Sequence, residues 1–109
     1  MLFWIMKKVY ICSPFTGDIK KNIENAKIYS RSVYKLGYLP ICVHIYLEEA
    51  TGLCEVNGDR EELLKLGREM VKICDEIFVF GRESSGMKGE IKLAKRLKKK
   101  ITYWNGNEE

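Results

Sequence analysis

The stretch FGRESSGMKGEI, Phe80 to Ile91, joins an apolar run to a charged segment of helical period. A helix N-terminus carries unpaired backbone N–H groups and the positive end of the macrodipole, so this junction suits an anion. Gly81 and Gly86 let the backbone approach a ligand, Ser84 and Ser85 add hydroxyl donors, and Arg82 adds charge. Met87 follows as the first residue of the helix's inner face. The spacing fits neither G-x-G-x-x-G nor a Walker loop. Glu90 follows about one turn into the helix, where the macrodipole favours its ionised form by ~0.3–1 kcal/mol. Two roles are open to it. Acids in a first helical turn are commonly structural, and placement alone favours that role. The other role is a carboxylate nucleophile, which must stay charged to trap an oxocarbenium-like carbon.

SPFTGD, Ser13 to Asp18, is the second candidate loop. Ser13, Thr16 and the Gly17 backbone are suited to phosphate or sugar hydroxyls, and Phe15 to stacking on a base. The alternative is an ordinary turn with Asp18 as the helix cap. Tyr10 lies just before it on an apolar run, and a buried tyrosine needs a partner for its hydroxyl. His44, the single histidine, follows the second apolar run and is either a hydrogen-bonded structural group or a site residue. Glu69 is a second carboxylate only if its helix tilts toward the site. Asp75 reads as a turn residue.

The elements that position these groups follow from periodicity. KKVYICSP gives a buried strand over about residues 8–13, and YLPICV a second one that Pro40 confines to a start or an edge. EIFVFG, about 76–81, and KITYW are the third and fourth strands. Ile19, Ile23, Ala26, Ser30 and Val33 mark a first helix that stops at Gly37. Leu63, Gly67, Met70 and Cys74 mark a second, with Asp59 and Glu62 at capping-box spacing. Met87, Ile91, Ala94 and Leu97 form the inner face of a third. HIYLEEATGLCEVNGD reads as a loop with a short helical turn. Alternating apolar strands and amphipathic helices predict a parallel sheet covered on both faces, with chemistry at the C-terminal strand ends.

At 109 residues, 46% hydrophobic and 31% charged, the chain predicts one soluble domain over 8–105, with an N-terminal extension (1–7) and a tail (106–109). No apolar run approaches a membrane span, and MLFWIM lacks the flanks of a signal peptide. The four cysteines form no C-x-x-C pair, so reduced thiols in a cytoplasmic protein are expected. Cys12 and Cys42 read as small buried hydrophobes. Residues 88–100 carry seven basic groups against Glu90, a local +6 in a chain of net +4. Aromatic residues are not interleaved with them, so a solvated helix face is expected and a nucleic-acid partner is not.

VYICSPFTGD…NIENA, LPICVHIYL and CDEIFVFGRESSGMKGEIKLAK together resemble the small nucleoside deoxyribosyltransferase-like proteins. The resemblance runs from about Lys8 to Trp104. It implies an α/β three-layer sandwich of the flavodoxin-like kind, with a four- to five-stranded, mainly parallel sheet. It also implies a homodimer or higher homo-oligomer, a small nucleoside or nucleotide ligand, and no metal or cofactor. In such enzymes a glutamate attacks C1′ of a deoxyribonucleoside or its monophosphate. The pattern G-x-x-x-E-φ-x-x-A carries that role to Glu90, and the supporting tyrosine to Tyr10. Ser13, Phe15, Gly17, His44, Gly81, Arg82, Ser84, Ser85, Gly86 and Met87 would bind substrate. The acidic residue that helps protonate the leaving base has only Glu83 as a loose counterpart. Arg82 and the serines favour a 5′-phosphate. The expected activity is N-glycosidic cleavage or transfer on a (deoxy)nucleoside 5′-monophosphate; the alternative is a non-catalytic nucleotide-binding or sensing module.

Overall fold

A computed structural model describes residues 6–104; the apolar residues 1–5 and the tail lie outside the described residues. Four strands, β1 (Lys8–Cys12), β2 (Leu39–Ile41), β3 (Glu76–Phe80) and β4 (Lys100–Trp104), form one parallel sheet in the order β2-β1-β3-β4. The helices α1 (Ile19–Lys35), α2 (Val43–Thr51), α3 (Arg60–Ile73) and α4 (Ser85–Arg96) cover it. This is a flavodoxin-like α/β sandwich.

Strand alternation divides the core. Val9 and Ile11 point into a cluster with Ala26 and Val33 of α1, joined by Phe78 and Phe80. Tyr10 and Cys12 point the other way, into a cluster with Val43, Leu47, Val71, Met87 and Ile91 of α2, α3 and α4. The outer layers are therefore α1 on one face and the other three helices on the opposite face. Tyr29 stacks on Phe80 at 4.4 Å, and Phe80 in turn contacts Trp104 at 5.5 Å.

After β1 the chain moves outward to β2, then returns across β1 to β3. A parallel sheet leaves a crevice at such a reversal, outside the C-terminal ends of the two central strands. Both candidate loops open there. β2 is an edge strand, one of the two places that Pro40 allowed.

Several expectations need correction. HIYLEEATGLCEVNGD holds the nine-residue helix α2 and a 3-10 turn at Glu55–Asn57. Val43 and Leu47, four apart, bury one stripe of α2, and Gly52 ends it in the left-handed conformation at φ +76°. Asp59 stands at the start of α3 but does not cap it through its side chain. Its Oδ2 instead accepts from the Cys54 N–H at 2.9 Å, so the capping box with Glu62 does not form. Leu97 is exposed because α4 ends at Arg96; Leu93 takes the buried place. Asp18 does cap α1, accepting from the Lys21 N–H at 3.1 Å.

Candidate active site

Glu90 is 7% exposed, on the face of α4 that packs toward the sheet. Two donors from one face of β1 hold its carboxylate. The Tyr10 hydroxyl donates to Oε2 at 2.6 Å, and the Cys12 thiol donates to Oε1 at 3.5 Å. Tyr10 and Cys12 stand two residues apart on the most buried strand pair, so the sheet itself fixes both donors relative to α4. Gly67 of α3 completes the packing. A Cβ there would lie 2.7 Å from Glu90 Oε2 and 3.3 Å from Tyr10 Oη.

Burial pushes the Glu90 carboxyl up to about 7, against the hydrogen bonds from Tyr10 and Cys12 and the charge of Arg68, which lower it. This corrects the expectation of a carboxylate kept charged by the helix end. Glu90 is the sixth residue of α4, beyond the first turn where the macrodipole acts, and desolvation wins. Burial likewise raises the Tyr10 phenol well above its ordinary range, with the Glu90 charge adding to it. Tyr10 is therefore a fixed donor.

Glu90 opens onto a cleft of about 630 Å³, open mouth included. Ser13, Phe15 and Thr16 line it from the loop after β1, and Val43, His44, Leu47 and Glu48 from α2. Glu55, Arg60, Leu63 and Leu64 line it from the segment leading into α3. Ser84, Gly86 and Met87 come from the start of α4. The Asn22 side chain donates to Phe15 O and Thr16 O, both at 2.9 Å, and so fixes the first loop. Ser84 caps α4, its Oγ accepting from the Met87 N–H at 3.4 Å while its N–H donates to Met87 Sδ at 3.4 Å.

Two buried polar atoms of the lining residues, Ser13 Oγ and His44 Nδ1, have no hydrogen-bond partner among the described residues. Groups of this kind cost ~1–3 kcal/mol each unless a ligand or water meets them. Burial lowers His44 to about 4, so it is a neutral imidazole at pH 7, and it meets Phe15 edge-on at 4.8 Å.

The sequence-predicted residues divide. Ser13, Phe15, His44, Ser84, Gly86, Met87 and Glu90 share the cleft, and Tyr10 stands behind Glu90. Gly17, Gly81, Arg82 and Ser85 lie outside the lining, and all four are exposed. Gly81 serves the backbone instead: φ is +74° and a Cβ would lie 3.3 Å from Pro14 Cδ, where the two loops meet. Ser85 reaches the site indirectly, as its Oγ accepts from Arg60 Nη2 at 3.2 Å. Glu83 is exposed and off the lining. Glu69 is exposed and bound to Lys72 at 2.6 Å.

The residues missed from sequence are Cys12, Glu48, Glu55 and Arg60. Arg60 is the cationic group on the cleft wall, and its Nη1 contacts Glu55 Oε1 at 3.0 Å. The helical period of VHIYLEEAT was a signal for Glu48, because it places His44 and Glu48 four apart on one face. Among the described residues no group of three or more His, Cys, Asp or Glu is arranged to hold a metal ion, and no helix is long and apolar enough to cross a membrane.

A family model described as a domain of unknown function, DUF7768, matches residues 7–104. The chain belongs to the DUF7768 family. No curated protein matches it. Among solved structures, a 2-deoxyribosyltransferase from the psychrotolerant bacterium Bacillus psychrosaccharolyticus superposes with a TM-score of 0.68 at 18% identity. The match covers 90% of this chain and 72% of that one. At that identity the likeness shows a shared fold. In this DUF7768 domain the cleft chemistry rests on its own side chains: a buried, doubly hydrogen-bonded carboxylate, one guanidinium and two polar atoms without a partner among the described residues.

Proposed function

We propose that this domain cleaves or transfers the N-glycosidic bond of a (deoxy)nucleoside 5′-monophosphate, with Glu90 as nucleophile. The observation that carries the reading is the Tyr10–Glu90 hydrogen bond of 2.6 Å, buried at the wall of an open cleft. Two donors fix both carboxylate oxygens and leave each a free lone pair for C1′. A carboxyl near 7 is ionised in a large fraction at neutral pH, and its raised basicity favours attack.

Arg60 takes the phosphate role expected of Arg82, together with Ser84 and Ser13. Phe15 and His44 meet the base. The reading needs no cofactor. It includes a homo-oligomer, supported by apolar side chains left exposed on α1 and α2, among them Ile28, Tyr34 and Tyr46.

Incubation with each deoxynucleoside monophosphate, followed by chromatography for free base, is the direct test. Release from at least one of them is expected, and Glu90→Gln stops release while leaving binding. A second reading, a non-catalytic nucleotide-binding module, is favoured by the burial that keeps part of Glu90 in its neutral form. It predicts binding with no base released at any pH.

A further inference from the structure

The proposed reaction needs an acid for the departing base, and we propose that Glu48 supplies it. This assignment rests on the glycosidic reading of the cleft. Three carboxyl groups line the cavity: Glu48, Glu55 and Glu90. Glu90 has both oxygens engaged by donors of β1. Glu55 is tied to Arg60 at 3.0 Å, and a proton on it would forfeit that pair. The Glu48 carboxyl makes no hydrogen bond or ion pair with any described residue. It is half-buried on α2, one turn beyond His44 and next to Leu47, whose buried side chain anchors that helix in the core. The α2 wall of the cleft thus carries one carboxyl with no structural occupation.

In the first step a Glu90 oxygen bonds to C1′ as the C1′–N bond breaks. The electron pair of that bond goes to the base, and the Glu48 carboxyl gives the base its proton, so the base departs neutral. Water then attacks C1′, the bond to Glu90 breaks, and the proton lost by water returns to Glu48. The sum is nucleotide plus water giving free base and a sugar 5-phosphate, with both carboxyls restored.

The test compares two leaving groups in the full-length protein. One substrate is a deoxynucleoside monophosphate that the wild type cleaves. The other is 2-deoxyribose 5-phosphate bearing 4-nitrophenolate at C1, a leaving group that needs no proton. Both are read in the first turnover, before water must give its proton to Glu48. There E48Q is expected to slow base release by roughly 10²–10⁴-fold, the usual contribution of a general acid, and to leave the burst of 4-nitrophenolate nearly unchanged. Equal slowing of the first turnover on both substrates would assign Glu48 to binding and overturn the proposal. Unchanged release on both would overturn it too. Wild-type protein that cleaves neither substrate would remove the glycosidic reading itself, a different result from either. If E48Q does not fold, Glu48→Ala with added formate decides: restored base release supports the assignment, and no restoration overturns it.

Discussion

Gly67 and Glu90 meet so closely that a single methyl group on Gly67 would stand 2.7 Å from Glu90 Oε2. The missing side chain on α3 is what lets the carboxylate lie against the sheet. Alanine is ordinarily better than glycine inside a helix by ~1 kcal/mol. Here that gain is opposed, because the carboxylate is pinned by Tyr10 and Cys12. Overpacking costs ~1–3 kcal/mol. Gly67→Ala is expected to lower Tm and to weaken base release together; a raised Tm with full activity would show that the pair yields freely.

The Tyr10 hydroxyl is the stronger of the two donors. Removing it leaves the Glu90 carboxylate less stabilised, so its pKa climbs above about 7. Since the nucleophile must be ionised, the rate rises with pH through that value. A hydrogen bond to a charged group contributes ~1.5–3 kcal/mol, so Tyr10→Phe should move the rising limb upward by about 1–2 pH units. Cys12→Ala should move it the same way by less, because a thiol at 3.5 Å is a weak donor. Rate–pH profiles of the two variants check both shifts.

Stability should carry the same signature. In the unfolded chain Glu90 ionises near 4.5, in the folded protein near 7. Between those values the folded state keeps a proton that the unfolded state has lost. The stabilising contribution is therefore complete below about pH 4.5 and is lost as pH rises through 7. Against Glu90→Gln, the wild type should lose on the order of 3 kcal/mol between pH 4.5 and 8. Urea unfolding of both proteins across that range measures it, and the opposing titration of His44 cancels in the difference.

Arg60 and Arg82 separate the two phosphate assignments. Arg60 lines the cleft and Arg82 does not. Arg60→Ala is expected to weaken monophosphate binding by roughly 10–100-fold, the loss of one charge-assisted contact, with little effect on the matching nucleoside. Arg82→Ala should change neither. Calorimetric titrations with a monophosphate and its nucleoside decide between them.

The strand–helix alternation was legible because parallel strands buried on both faces read as continuous apolar runs, as Glu76–Phe80 does. The Tyr10–Glu90 pairing was legible through the resemblance. What escaped was set by contacts distant in sequence. Arg60 sits on the cleft because α3 starts beside α4, where it reaches Ser85; nothing local in GDREEL says so. Cys12 looked like a small hydrophobe, and only the packing of α4 on β1 makes its thiol a donor. Desolvation of Glu90 depends on three elements closing over it, so helix position alone gave the wrong charge balance. α2 was obscured by the mixed polarity of HIYLEEAT and the glycines that follow.

The two-residue alternation of β1 has one more consequence. Val9 and Ile11 serve the α1 side, Tyr10 and Cys12 the side of α4. A one-residue deletion inside this strand would exchange the two sets. Oily side chains would then confront the carboxylate, and the phenol would be stranded among aromatic rings. Such a frame slip would extinguish the chemistry outright, so this central strand acts as a selector with only two settings.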